Sequence, residues 1–240
     1  AWRWPYGDGD QAARDSLRGA AEHVLWHGAD CARASSSGLD VRLDLYEGSA
    51  TDRLESLSAD AEVLVVGSRG LGAVARVVVG SVAAHAAAHA RCPVIVVRGR
   101  GALPRKSHPG AVVVGLADDG KAAAVFGFAH AEAAIRGLPL VAVHAWHQPP
   151  VTWGGMTFPA LDPLAVEGAA ESWLERFLAP WRVRRPEVVI EARTPRSGAR
   201  EALAAVSGAT LVVVGSPHGR FGSTTAAMLR HAACPVAIVR

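Results

Sequence analysis

Residues 67–81 carry the spacing best suited to hold a charged ligand: Gly67-Ser68-Arg69-Gly70, nine residues, then Gly80-Ser81. Glycines let a backbone approach a ligand closely and adopt conformations barred to other residues. A helix opening at Gly80-Ser81 would turn unpaired N–H groups and the positive end of its dipole toward an anion. Ser81 is placed either to cap that helix or to donate its hydroxyl to a phosphate. A tight turn followed by an ordinary helix cap explains the same residues without a ligand, so the loop alone leaves both readings open. A shorter version occurs at Gly215-Ser-Pro-His-Gly219-Arg-Phe-Gly222-Ser223-Thr224. There Gly222, Ser223 and Thr224 still suit an anion at a helix start, but Pro217 removes one backbone donor.

The remaining reactive side chains suggest little chemistry. Asp and Glu are dispersed, with no carboxylate pair spaced for acid–base work. Neither GxSxG, GxxxxGK[ST] nor HExxH is present, so the expectation is a protein that is not an enzyme. His85, His89 and His231 fall near helix ends without a second ligand at metal spacing, and read as structural. His144, His147 and His218 sit at a strand end or in loops, where a ligand is within reach by location. The odd, sparse set Cys31, Cys92 and Cys234 lacks CxxC spacing, which argues against a disulfide framework and a zinc site. Cys92 and Cys234 each precede a Pro and read as small buried hydrophobes. Trp2, Trp4 and Pro5, and then Trp146, Pro149, Pro150 and Trp153, stud two equivalent loops. They form either a flap over a ligand or a small core packing the loop down. Trp173 and Trp181 read as core.

Composition narrows the class. The chain is 50% hydrophobic and 20% charged with a net charge of +3, a globular balance rather than a disordered one. Lys106 and Lys121 are its lysines, and its basic residues form no stripe interleaved with aromatics, which argues against nucleic-acid binding. No apolar run is long enough to predict a membrane span. The sparse, unpaired cysteines fit a reducing cytoplasm. The opening Ala1-Trp2-Arg3-Trp4-Pro5 has no basic-then-apolar leader and reads as the middle of something longer.

The elements that must position these residues come in two copies. Val63-Leu-Val-Val-Gly67-Ser68 recurs as Leu211-Val-Val-Val-Gly215-Ser216, and His89-Ala-Arg-Cys-Pro-Val-Ile-Val-Val-Arg98 as His231-Ala-Ala-Cys-Pro-Val-Ala-Ile-Val-Arg240. The copies lie 148 residues apart at Gly67/Gly215 but 142 at Cys92/Cys234, so the second has lost six residues between those landmarks. Val-rich runs predict parallel strands at 111–116, 140–145, 187–192, 211–214 and 235–239. Helices are predicted between them at 122–136, 163–178, 198–207 and 223–233, with Gly137-Leu-Pro139 as a stop signal. The same template on the first copy gives helices at 8–33, 49–57 and 81–91 and strands at 40–45, 63–66 and 94–97. It lacks the first strand, the first helix and nearly all of the second strand. Alternation throughout predicts α/β domains with helices on both faces of parallel five-stranded sheets. Residues 1–98 form a first, N-terminally incomplete domain, 99–110 a Gly/Pro-broken linker and 111–240 a second domain.

Gly-x2-Gly-x9-Gly-Ser, with Val-Leu-Val-Val before it and His-Ala-x-Cys-Pro-Val-x-Val-Val after it, resembles the nucleotide loop of the universal stress protein family. The resemblance covers both copies in order. It implies two flavodoxin-like or Rossmann-like domains, akin to the adenine nucleotide alpha hydrolase fold, and a regulatory role in the stress response exerted by binding. It further implies ATP or another adenine nucleotide as ligand, with no metal motif. Val66, Gly67, Gly70, Gly80, Ser81 and Val82 are the nucleotide-side residues it assigns in the first copy. The weaker second-copy set is Ala117, Asp118, Ala145, Gly215, Gly219, Gly222, Ser223 and Thr224. Family members carry an Asp at the end of the first strand. Here that strand is missing from the first copy, and Ala117 stands at its place in the second, with Asp118 one position on as the available substitute. Members without a complete loop imply the alternative, a nucleotide-free dimerisation or interaction module. In it the strands 93–97 and 235–239 pair edge to edge, as a homodimer or an intrachain pseudo-dimer.

Overall fold

The computed structural model describes residues 11–36, 38–68, 79–97, 110–147, 151–153, 156–158, 162–217 and 219–240. Gly70, His218, Trp2, Trp4, Pro5, Pro149, Pro150 and nearly all of the predicted linker lie outside the described residues. The elements are α1 Gln11–Ser35, α2 Ala50–Leu57, β1 Leu64–Gly67, α3 Ser81–His89, β2 Val94–Val97, β3 Ala111–Gly115, α4 Ala122–Arg136 and β4 Leu140–Val143. There follow β5 Val151–Trp153, β6 Met156–Phe158, α5 Pro163–Arg184, β7 Ile190–Arg193, α6 Ala199–Ala204, β8 Ala209–Gly215, α7 Ser223–His231 and β9 Val236–Val239. They fall into two compact units, Ala1–Leu54 and Glu55–Arg240.

In the first unit α1 buries a single side chain, Ala29. Ser49 caps α2, its Oγ accepting from Asp52 N at 3.3 Å, and Arg53 pairs with Asp44 at 2.8 Å. The strand predicted at 40–45 does not form. Its second-copy equivalent, β7, exists by pairing with β4, and among the described residues the first copy has no corresponding second strand. An unpaired strand leaves a row of backbone groups without a ladder, and Leu39, Leu45 and Tyr46 remain exposed.

The second unit is built on a seven-stranded sheet in the order β1-β2-β9-β8-β3-β4-β7. All pairs are parallel except β2 with β9, which run antiparallel with Val94 opposite Ile238 and Val96 opposite Val236. The second copy therefore supplies a complete five-strand set in the Rossmann-like order β7-β4-β3-β8-β9 rather than the flavodoxin order, and the first adds its last two strands across an antiparallel seam. Each last strand has both edges occupied, which answers the question of where the segments 93–97 and 235–239 pair: with each other, within one chain.

Alternate residues of each strand face opposite layers, as a period of two requires. Val112, Val114, Leu140, Leu211 and Val213 join Phe126 of α4 and Leu174 and Leu178 of α5 in one core. Val113, Val141, Val212, Val214, Val236 and Ile238 join Ala83 and Ala87 of α3, Leu203 of α6 and Leu229 of α7 in the other. Both faces being covered, the strands read as unbroken Val runs.

Helix ends follow their local chemistry. Gly137 takes φ +61° after α4, and Leu138 N returns to Ala133 O at 3.0 Å, the left-handed stop that a glycine permits. Asp162 caps α5, accepting from Leu164 N at 3.0 Å. The predicted end of α5 at Leu178 is too early, because the helix continues through Pro180 to Arg184. Pro removes one intrahelical donor, but Trp181 packs 5.1 Å from Phe126 and Arg182 pairs with Glu175 at 2.5 Å, holding the extra turns in place. The stretch after β4, read as a loop, contains the antiparallel hairpin β5–β6. Among the described residues no helix is long and apolar enough to cross a membrane.

Candidate functional site

A cleft of about 280 Å³ opens at the carboxyl ends of β3, β4 and β8, where parallel α/β sheets bind ligands. Its floor is Gly115, Leu116 and Ala117 at the end of β3 and just after it, Val143 and Ala145 at the end of β4 and just after it, and Val214 and Gly215 at the end of β8. Gly222, Ser223, Thr224 and Thr225 form one wall at the start of α7, with Pro217 beside them. Val125 of α4 and Leu203 of α6 close the apolar sides, and Asp119 stands on the turn between β3 and α4.

The wall is anchored from below. Buried Thr225 donates its Oγ1 hydrogen to Gly215 O at 2.9 Å, tying the first turn of α7 to the end of β8. Gly222 is the residue that caps α7, in extended conformation and without a side-chain hydrogen bond. Ala226 N returns to Gly222 O at 3.0 Å, so the N–H groups of Ser223, Thr224 and Thr225 stand ahead of the first helical bond. They face the cleft with the positive end of the helix dipole, and the Ser223 and Thr224 hydroxyls belong to residues on the same wall.

The floor is held as firmly. His144 makes a hydrogen bond of 3.1 Å through Nδ1 with Leu116 O, and its ring packs 4.4 Å from Trp173. It does not line the cleft; it braces the exit of β3 against that of β4. Trp146 is buried and donates Nε1–H to Thr194 O at 3.1 Å, which fits the small-core reading of the loop aromatics. A shallower open depression of about 560 Å³ adjoins the cleft at Val143, between the exits of β4 and β7 and α6.

The structure sorts the residues expected from sequence. Ala117, Ala145, Gly215, Gly222, Ser223 and Thr224 line one cleft. Asp118 does not; the carboxylate on the wall is Asp119, whose Oδ1 accepts from Lys121 N at 3.1 Å and is thereby held at the turn into α4. Gly219 is also off the cleft. Its φ of +78° turns its N–H toward α3, where it donates to Ala88 O at 2.7 Å. In the first copy Val66 and Gly67 end β1, and Gly80, not Ser81, caps α3; Ser81 and Val82 are its first helical residues. Gly80 N donates to Ser68 O at 2.8 Å, which closes the base of the loop. Among the described residues β1 pairs only with β2 and is a sheet edge, so no first-strand wall faces those residues as β3 faces α7. Sequence reasoning missed Thr225 and Asp119. A third hydroxyl after Ser223-Thr224, three positions beyond Gly222, was the available signal for the first.

His85 contacts Glu55 at 3.2 Å and stacks on His89 at 4.2 Å, the structural roles expected for that helix. Among the described residues no cluster of His, Cys, Asp and Glu is arranged to hold a metal ion.

Comparison with known proteins agrees with this architecture. Residues 4–98 and 110–240 match the profile of the family described as "Universal stress protein family". A universal stress protein of Mycobacterium tuberculosis is 34% identical over 248 residues, covering 99% of this chain and 78% of its own length. One from Mycolicibacterium smegmatis is 32% identical over 246 residues, covering 96% of this chain and 79% of its own. Among solved structures, a universal stress protein from Archaeoglobus fulgidus superposes with a TM-score of 0.68 at 18% identity, over 98% of this chain and 81% of that one.

Proposed function

The chain belongs to the universal stress protein family, and we propose that it binds an adenine nucleotide in the cleft of its second repeat and acts by that binding rather than by turnover. The observation that carries this reading is the meeting of an apolar floor with a helix start in one cleft. Leu116, Val143, Val125 and Leu203 offer surface to a base. Ser223 and Thr224 offer hydroxyl and backbone donors to a phosphate, and Asp119 offers an acceptor to ribose hydroxyls. The first-repeat residues Gly67, Gly80 and Ser81 retain the longer loop and are the second candidate for ATP.

Binding acts on the protein through linkage. A nucleotide held only by the folded state stabilises it by about 2.7 kcal/mol at a hundredfold excess over Kd. It thereby favours whichever conformation of the protein holds it better. Calorimetric titration of the wild-type chain and Gly222→Asp with AMP and ATP tests the proposal. Saturable binding by the wild type, weakened at least tenfold by the carboxylate at the start of α7, is expected. Absence of saturable binding by either nucleotide overturns it. The alternative interaction role draws on the β2–β9 seam, which already joins the two repeats inside one chain.

A further inference from the structure

We propose that the second-repeat cleft selects a nucleoside monophosphate over the corresponding di- and triphosphates; this rests on the adenine-nucleotide reading above. The two repeats differ most in the span that would follow a polyphosphate. Twelve residues separate Gly67 from Gly80, but six separate Gly215 from Gly222. Those six are largely committed elsewhere. Ser216 donates its N–H to Val239 O at 3.0 Å and its hydroxyl to Arg220 O at 3.0 Å. Pro217 has no N–H to give, and Gly219 spends its own on Ala88 O at 2.7 Å. The donors left facing the cleft are those of the α7 start, which suit one phosphate group.

Space and charge point the same way. At about 280 Å³ the cleft falls just below the ~300–1,000 Å³ range of ligand pockets. Among the described lining residues the sole ionisable side chain is Asp119, and none is Lys or Arg. Every phosphate beyond the first adds negative charge to a site that already holds a carboxylate and brings no cation to meet it. Nor is the loop free to swing aside. The carboxyl end of α3 grips it through Ala88 O, and Arg240 closes on the same helix end through Ala87 O and Ala90 O. In the first repeat the longer span carries no such shortening, so the duplication has left one long and one short phosphate arm in a single chain.

The test is photolabelling of the wild-type chain with 8-azido-AMP, mapping the label to second-repeat peptides that include Gly115–Asp119 and Val214–Thr225. AMP, ADP and ATP compete for it, each with and without Mg²⁺. AMP is expected to protect these peptides at a concentration at least tenfold below ATP, with Mg²⁺ not reversing the order. Asp119→Asn is expected to narrow the gap by improving ATP protection. ATP protecting as well as or better than AMP overturns the selectivity and leaves the nucleotide reading standing. Failure of both 8-azido-AMP and 8-azido-ATP to label any second-repeat peptide overturns the selectivity and the nucleotide reading together.

Discussion

Arg240 offers a sharp test of how the two repeats are fastened. Its guanidinium crosses the β2–β9 seam to the end of α3, donating to Ala90 O at 2.6 Å and to Ala87 O. These carbonyls lie where a helix runs out of partners. Arg91 N, which would otherwise answer Ala87 O, donates instead to Ser58 Oγ at 2.9 Å. A hydrogen bond to a charged group contributes about 1.5–3 kcal/mol, so two give about 3–6 kcal/mol before costs. The costs are visible: burial holds the guanidinium below its ordinary pKa, and its Nε has no partner. Desolvation thus offsets about half of the gain, leaving about 1.5–3 kcal/mol for Arg240→Ala. For a unit the size of Glu55–Arg240, each kcal/mol moves Tm by about 2–4 °C, so the midpoint should fall by about 3–12 °C. Circular dichroism melts of wild type, Arg240→Ala and Arg240→Lys measure this, with Lys expected between the other two because it keeps charge but loses the fork. An Ala variant melting within about 1 °C of wild type refutes the clamp.

Two further predictions concern buried groups. His130 is buried between Phe126 and Trp181, with Nε2 unpartnered; burial first, then the positive charges of Arg185 and Arg184, lower its pKa against a smaller raising effect of Glu187. The unfolded chain therefore binds the proton more readily. Stability is fully present above the unfolded value of about 6.5 and is lost as pH falls through it toward the lowered folded value. Urea unfolding at pH 7.5 and pH 5.5 should show that loss, and His130→Phe should reduce it; equal pH dependence in both proteins contradicts the assignment. Cys92 is buried and its thiol is pushed up chiefly by that burial, whereas Cys31 is exposed. Thiol titration of the native chain should label Cys31 quickly and Cys92 only on unfolding; rapid labelling of Cys92 contradicts its packing.

Much of the fold was legible because it is local. Ala122–Arg136 is helical over the predicted residues, its Ala-rich run and Gly137 stop both being signals carried within the segment itself. The Val runs announced strands buried on both faces, and the duplicated motifs announced the second set. What escaped depends on partners distant in sequence. Residues 40–45 have the composition of a strand but no neighbour to pair with, and Trp181 carries α5 past a proline by packing on α4. Of the residues whose types and spacing suggested a site, Gly215, Gly222, Ser223 and Thr224 line one cleft. Which carboxylate enters was not legible, because a turn of four residues decides between Asp118 and Asp119. Nor was the direction of the Gly219 N–H, which is set by α3, more than a hundred residues earlier in the chain.

The central claim is that the cleft between β3, β4, β8 and α7 holds an adenine nucleotide by its phosphate. A crystal structure of the chain grown with saturating AMP tests it most directly. The account predicts a phosphate within hydrogen-bonding distance of the Ser223 and Thr224 N–H groups, with the base over Leu116 and Val143. An empty cleft under those conditions, or a nucleotide bound with its phosphate away from the start of α7, contradicts it.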